Sequence, residues 1–232
     1  MPDAIDNIIT ISGPKESVDR VKNRILVTEE YIEFVKKRNE GLDQNFHIRV
    51  PYLGELTFNR LIPTPTNIYH GSLSDFEEKK YGEENCWFYW NVNNWGTKWD
   101  AYDVYNVPSP PGVFKICFHT AWDPPIFYLE KLAEVCIEEG CNMNGVFDDL
   151  AIQGKCFIDR DNKFCIDWWA FEDYVYLARN IYFNPKLSKE FVQAVEDERG
   201  KQKYVTNSCM DEIKMPYGGE NIWLCVRRLQ KE

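Results

Sequence analysis

The alternation of apolar and polar residues predicts the first two elements of the chain. Residues 5–12 form a short isoleucine-rich run, which predicts a buried strand. Apolar residues then recur at three- to four-residue spacing, which predicts an amphipathic helix from residue 14 or 15 to about residue 38. The apolar positions are Val18, Val21, Ile25, Ile32 and Val35. Their spacing breaks at Thr28, where we expect the helix to bend or to divide.

A strand and a helix are also predicted in the middle of the chain. Residues 113–119 alternate in the manner of a strand. The start signal of the next helix is strong, with Asp123 as its expected cap and Pro124 at its first position. Trp122 before the cap and Phe127 within the helix occupy the positions of a hydrophobic staple. The stripe that we expect to be buried comprises Leu129, Leu132, Ala133 and Cys136.

The remaining segments are assigned from shorter patterns. Residues 44–50 predict a short strand, and residues 143–169 predict several strands with a hairpin turn at 159–162. A helix is expected from residue 184 to residue 200, and a terminal strand at residues 221–228.

The order strand, helix, strand, strand, helix, strand indicates an α+β protein. It fits a ferredoxin-like split βαβ sandwich with insertions. We expect this domain to cover residues 1–154. Residues 155–232 are expected to form a C-terminal α+β extension that packs on the first domain or extends its sheet.

One stretch, CWFYWNVNNWGTKW at residues 86–99, holds four of the eight tryptophans. Aromatic runs favour strands, so a strand is predicted at its start, followed by a turn at Gly96. Lys98 lies between two tryptophans, where its ammonium is expected over an indole. Two interpretations stay open, an aromatic mini-core and an exposed platform for a base, a peptide or a protein. The candidate binding residues are Trp87, Tyr89, Trp95, Lys98, Trp99, Trp122, Asp123, Asp148 and Asp149.

The net charge of −10 argues against a general nucleic-acid binder, which normally carries a basic face. It is compatible with a partner protein that has a basic surface. The start of the chain shows no signal-peptide pattern, and no run of about 18 apolar residues is present to span a membrane. We therefore expect a cytoplasmic protein whose eight cysteines are free and mostly buried thiols.

No catalytic or metal-binding motif is complete in the sequence, so we predict no catalytic residues, no metal and no cofactor. A pairing of His119 with Asp123 would orient an imidazole for acid–base work, but a hydrogen-bonded histidine at a strand end is the simpler interpretation. The acidic residues near 159–163 begin like a calcium loop without its glycine and distal glutamate, and a hairpin turn explains them better.

Three segments carry a resemblance to a known family. NWGTKWDAYDV at residues 94–104, LTFNRLIPTP at 56–65 and FHTAWDPPIFYLEKLAE at 118–134 resemble the YubB-like family of phage and conjugative-plasmid proteins. The resemblance covers roughly residues 1–150 and implies a ferredoxin-like domain and a bacterial cytoplasm. The family offers no established activity and no catalytic residues.

Charge, motifs and resemblance together predict a non-enzymatic accessory protein of a mobile element. Its expected partner is a host protein with a basic surface, such as a defence enzyme or a CRISPR nuclease. One alternative is a single-stranded nucleic-acid module that uses the strand aromatics Trp87, Tyr89, Trp95 and Trp99. A metal-dependent nuclease, which requires converging carboxylates, is the third.

Overall fold

The computed structural model describes residues 4–148 and 153–168, nearly all of which belong to the first of two units into which the chain divides. The strands are β1 (Ala4–Ser12), β2 (Tyr102–Val107), β3 (Val113–Ala121), β4 (Asn142–Asp148), β5 (Gln153–Ile158) and β6 (Phe164–Trp168). The helices are α1 (Lys15–Ile25), α2 (Glu29–Asn39), α3 (Asp75–Tyr81), α4 (Trp87–Trp95) and α5 (Ile126–Glu138). Short 3-10 turns cover Gln44–Phe46, Phe58–Arg60 and Glu83–Asn85.

The described strands form one sheet in the order β2-β3-β1-β4-β5-β6. β1 pairs antiparallel with both β3 and β4, and β2 pairs antiparallel with β3. With α1 after β1 and α5 between β3 and β4, the first four strands have the split βαβ topology. The predicted α+β, ferredoxin-like class is confirmed, and β5 and β6 continue its sheet.

The sheet and its helices bury the apolar positions that the sequence pattern marked. Ile9 and Ile11 of β1 belong to the main core, together with Val18 and Val21 of α1. The expected stripe of α5 lies in the same core, and all of its members are buried. Alternate residues of β1 share a face of the sheet, which is why Ile9 and Ile11, two residues apart, both belong to this core.

The long helix predicted near the N-terminus is divided at the predicted position. α1 ends at Ile25, and Thr28 caps α2 by accepting a hydrogen bond from the backbone N–H of Tyr31 at 3.3 Å. The connecting residue Val27 also exchanges backbone hydrogen bonds with the chain at Gly54 and Glu55. The break is therefore a helix cap joined to a neighbouring turn.

The aromatic run is a helix, so the predicted strand there is wrong. α4 turns the side chains of Asn91 and Trp95 into the protein, one helical turn apart. Gly96, at φ 86°, ends the helix in the left-handed conformation that favours glycine, and its N–H donates to the carbonyl of Val92. Burial of one helical face outweighs the strand preference of aromatic residues, which depends strongly on context.

The start of α5 differs from the prediction by two residues. Its N-cap is Pro125, and the cap makes no side-chain hydrogen bond, so Asp123 is not the cap. A residue before proline is disfavoured in the helical conformation, and this applies both to Asp123 before Pro124 and to Pro124 before Pro125. The helix begins only after the second proline, at Ile126. Trp122 therefore does not stand directly before the cap, as the predicted hydrophobic staple required.

Of the remaining predictions, one is wrong, one is confirmed and the others are not tested by the structure. Residues 44–50 contain a 3-10 turn rather than a strand, because the Asp43 carboxylate accepts the Asn45 N–H and tightens the chain there. The hairpin across 159–162 is confirmed by β5 and β6. The helix at 184–200 and the strand at 221–228 lie outside the described residues. The boundary at residue 154 stays a prediction.

Two further properties belong to the described residues alone. None of their helices combines the length and apolar character that crossing a bilayer requires. Their cysteines form no disulfide, and only Cys165 among them is not buried. Buried cysteines include Cys136 and Cys156, where burial raises the pKa of each thiol to about 12 and so suppresses the reactive thiolate.

Candidate binding surface

The loop between α4 and β2 holds the backbone of Lys98 in a fixed place. The buried hydroxyl of Thr97 donates to the carbonyl of Ala121 at the end of β3, at 2.9 Å. The side-chain amide of Asn91 donates to the carbonyl of Lys98, also at 2.9 Å. These two bonds tie the loop to α4 and to the β3–α5 connection, and they bring Lys98 close to Trp122.

The ammonium of Lys98 lies among three aromatic rings. Its Nζ is 3.9 Å from the ring centroid of Trp122, 5.4 Å from that of Trp99 and 5.8 Å from that of Phe88. Each distance is within the range of about 6 Å at which a ring attracts a cation. The expectation that Lys98 covers an indole is thus met, chiefly on a tryptophan that is remote in sequence.

Trp122 is held in an uncommon backbone conformation. Its φ is 73°, in the left-handed region that bulky side chains rarely adopt. The Thr120 hydroxyl donates to the carbonyl of Asp123 at 2.9 Å and closes the turn around it. The indole is 42% exposed and meets the edge of the Phe88 ring at 6.1 Å. The surroundings therefore impose a strained residue that presents a large aromatic surface.

The aromatic contacts continue from Lys98 onto the sheet. The Trp99 ring is 38% exposed and meets the Tyr102 ring at 6.1 Å, and Tyr102 in turn meets His119 at 5.5 Å. We call Phe88, Lys98, Trp99, Tyr102 and Trp122 the aromatic ridge. Helix α4, the loop after it, strand β2 and the β3–α5 turn each contribute to it.

Three of the predicted aromatic residues are not available on this ridge. Trp95 is only 3% exposed, and its indole N–H donates to the carbonyl of Ile62, so it belongs to the core. Trp87 is half-buried and its indole donates to the carbonyl of Gly71. Tyr89 is half-buried, and burial together with nearby Glu78 raises the pKa of its hydroxyl. Trp95 fits the mini-core interpretation, whereas Trp87 and Tyr89 are half-buried side chains outside the ridge.

The predicted acidic residues separate in the structure. Asp123 is exposed and follows Trp122 directly, so it flanks the ridge. Asp148 is 6% exposed and lies opposite Asp6 in the register of β4 and β1, so it is no part of an exposed acidic patch. Asp149 lies outside the described residues. Asp159 accepts the backbone N–H groups of Asp161 and Lys163, as expected for a hairpin turn.

His119 is paired with carboxylates that the sequence reading missed. Its Nε2 is 2.6 Å from Oδ1 of Asp6, and its Nδ1 is 3.2 Å from Oδ2 of Asp103. Asp6 stands opposite His119 in the β1–β3 register, whereas the expected pairing with Asp123 is not the one formed. Alternation along β1 gives the face of Asp6, but only the strand register reveals its neighbour.

The two carboxylates change the titration of His119. Hydrogen bonding to Asp6 is the main reason that the imidazole pKa is raised above its ordinary value of 6.5, and Asp103 adds to the effect. A protonated ring can donate from both nitrogens, which suits two acceptors. The contacts of His119 with Asp6 and Asp103 therefore join β1, β2 and β3 most strongly when His119 is charged.

We expect His119→Gln to remove a pH-dependent part of the stability. A raised folded-state pKa stabilises fully below the unfolded value near 6.5, and the gain is lost as pH rises through the folded pKa. The difference in unfolding free energy between wild type and variant should therefore be largest below pH 6.5 and shrink above it. Urea unfolding from about pH 5.5 to 8.5, a range that includes the ordinary histidine pKa, measures this difference.

Another histidine, His70, titrates in a different pH range. Burial is the main reason that the pKa of its imidazole falls to about 4. Its contribution changes between about 4 and 6.5, below the window of His119. If the difference in unfolding free energy between wild type and His119→Gln were constant from about pH 5.5 to 8.5, the proposed pairing of His119 would be contradicted.

A second exposed apolar area shares no side chain with the ridge. A groove of about 830 Å³ runs along the α1–α2 junction, with Phe34 and Leu53 on its walls. Tyr52, beside Leu53, is 77% exposed. This exposed tyrosine is useful as a matched control for the ridge aromatics.

No group of three or more potential metal ligands is assembled within residues 4–148 and 153–168. The ridge offers aromatic faces and one ammonium, which suit non-covalent recognition. The Asp6–His119–Asp103 arrangement has the geometry of an oriented imidazole, but the thiol of Cys117, two residues away on β3, is buried.

Comparisons with known proteins add little to this picture. No family model matches the chain, and no curated protein matches it. A solved structure, that of a protein api92 from Yersinia pseudotuberculosis with the family model DUF1281, is 9% identical to this chain. The match covers 73% of this chain and 99% of that one, with a TM-score of 0.44. The resemblance to the YubB-like family stays a prediction.

Proposed function

We propose that this chain is a non-catalytic binding protein that contacts a partner protein through the aromatic ridge. The observation that supports it best is the exposure of Trp122 and Trp99, at 42% and 38%, within a rigid frame. Tryptophan and tyrosine dominate the energetics of protein interfaces, and they do so from well-ordered positions. Fixing the rings before binding lowers the entropy that association costs.

The charge of the chain supports a partner with a basic surface. The net charge is −10, and the ridge is flanked by the exposed residues Asp103 and Asp123. Acidic groups around an apolar centre favour approach of a positively charged patch and accelerate its association. Binding should accordingly weaken as salt screens these charges.

The identity of the partner is proposed from the family resemblance. We propose a host protein in a bacterial cytoplasm, such as a defence enzyme or a CRISPR nuclease, and an origin of this chain in a phage or plasmid. The resemblance and the acidic balance support this assignment, since nucleic-acid enzymes carry basic grooves that an acidic protein can occupy.

Single-stranded nucleic acid is the second candidate ligand of the ridge. Its support is Lys98 among exposed rings, because bases stack on aromatic side chains beside cations. The net charge of −10 opposes it. The strand platform expected for this function is altered as well, because Trp87, Tyr89 and Trp95 lie on a helix. Quenching of tryptophan fluorescence by a single-stranded oligonucleotide would support this alternative.

Affinity capture with the immobilised full-length chain tests the proposal. Bacterial lysate is applied at low and at high salt, with and without nuclease, and bound proteins are identified by mass spectrometry. We expect a near-stoichiometric protein that Tyr52→Ala retains, that Trp122→Ala loses and that high salt weakens. Recovery of nuclease-sensitive nucleic acid alone, or of a protein that Trp122→Ala binds normally, would contradict the proposal.

A further inference from the structure

We propose that Phe88, Trp99 and Trp122 form a recognition site for a cationic side chain of the partner, a lysine or an arginine. In the unbound protein, the chain's own Lys98 occupies this site. The inference rests on the proposed function and specifies the chemistry that the ridge recognises. We call the three rings the cation box.

The number of rings distinguishes Lys98 from Lys22 and Lys80, two other lysines near aromatic side chains. Within the part of the chain that the structure describes, Lys22 lies 5.3 Å from the Phe114 ring and Lys80 lies 4.6 Å from the Tyr81 ring. Each of these contacts involves one ring, as expected for a lysine resting on a surface. Lys98 is near three rings, at 3.9, 5.4 and 5.8 Å. Several rings around one ammonium form the arrangement that recognises cationic ligands.

The walls of the cation box do not depend on Lys98. The Trp122 backbone is set by the turn that Thr120 closes, and Trp122 packs on Phe88. Trp99 packs on Tyr102 of the edge of the sheet. The rings therefore keep their places when the lysine side chain leaves, and the site is pre-organised for another cation.

Lys98 itself is held by little other than the rings. It is half-buried, and it forms no ion pair with a carboxylate of residues 4–148 or 153–168. Its flexible four-carbon stem can turn toward solvent while its backbone stays bound to Asn91. An incoming cation makes the same kind of ring contacts as the Lys98 ammonium. It therefore competes with Lys98 for the rings and can displace its ammonium.

The surrounding charge selects a cation over an anion. Asp123 follows Trp122, and Asp103 follows Tyr102 and is also paired with His119; both carboxylates are exposed. The chain as a whole carries a net charge of −10. A partner carboxylate would gain one ammonium and meet this negative field, whereas a guanidinium or ammonium gains both the rings and the field.

Tetramethylammonium chloride is a suitable probe because it is a simple cation with no hydrogen-bond donors. We would titrate it into the full-length protein and follow tryptophan fluorescence, with sodium chloride added to keep the ionic strength constant. Removal of the competitor by Lys98→Ala is expected to tighten binding of this probe by about tenfold over wild type. Lys80→Ala, which removes a lysine from a single ring, should bind like wild type.

The double variant Lys98→Ala/Trp122→Ala should lose the gain, which assigns the binding to the box. Thermal unfolding of each variant checks that the fold is retained, as expected for a half-buried lysine and an exposed tryptophan. Equal affinities of wild type and Lys98→Ala for the probe would overturn the cation box. Such a failure is distinguishable from failure of the proposed function, because capture of a partner that depends on Trp122 would persist.

Discussion

Replacement of Trp122 by alanine is expected to weaken partner binding by about 30-fold or more, which corresponds to roughly 2 kcal/mol. The indole is the most central side chain of the aromatic ridge, since it contacts both Phe88 and the ammonium of Lys98. It is 42% exposed in the free protein, so binding can bury a further large apolar area. The variant also loses the pre-formed wall of the cation box.

The loss is to be measured by calorimetric titration with the captured partner. Tyr52→Ala removes a more exposed aromatic ring, at 77%, that is not part of the ridge, and it should change the affinity little. Folding is expected to be preserved in both because each side chain is exposed, and thermal unfolding of each variant checks this. Equal weakening by the two variants would indicate a diffuse effect rather than a ridge-centred interface.

Replacement of Phe58 by alanine is expected to lower the free energy of unfolding by about 3–5 kcal/mol. The ring is fully buried and meets Tyr128 at 4.2 Å, Trp95 at 5.6 Å and Phe118 at 5.9 Å. It thereby joins α4, α5 and β3. Truncation leaves a cavity at the point where the helix of the aromatic ridge rests on the core, and cavity formation adds to the lost burial.

Urea unfolding of the full-length chain measures this cost. Phe76→Ala is the matched control, since Phe76 on α3 is 69% exposed and its removal should cost little. A loss of under about 1 kcal/mol for Phe58→Ala would show that the aromatic junction does not support the fold. Because the chain divides into two units, the unfolding transition is followed at two wavelengths to establish whether it is cooperative.

Local patterns predicted the framework of this fold well. The spacing of Val18, Val21 and Ile25 placed α1, and the interruption at Thr28 placed the cap between α1 and α2. The order of elements was enough to indicate the split βαβ topology, because few connections of such elements are feasible.

Local propensity failed where tertiary packing decided the outcome. The run from Trp87 has strand-forming residues, yet it is a helix because Asn91 and Trp95 bury one face. The double proline after Asp123 delayed the start of α5 and placed Trp122 in a turn. Prediction of the second effect was possible from the rule for residues before proline, whereas the first required knowledge of what α4 packs against.

In the candidate site too, some features followed from local sequence patterns and others only from tertiary contacts. Lys98 was expected over an indole, and it lies over one, but the nearest ring is that of Trp122 rather than its neighbour Trp99. The Thr97 hydroxyl bond to Ala121 makes that contact, and no sequence pattern signals it. Asp148 was a candidate binding residue, and its burial follows from its register opposite Asp6 on the central strand.

Hydroxyl-radical footprinting of the free chain and of its complex with the captured partner tests the role of the aromatic ridge most directly. Oxidation of Trp122 and Trp99, which are both exposed in the free protein, should fall strongly in the complex. Oxidation of Tyr52 should stay unchanged, because Tyr52 is not part of the aromatic ridge. Unchanged oxidation of Trp122 in a fully formed complex would contradict the ridge as the binding surface.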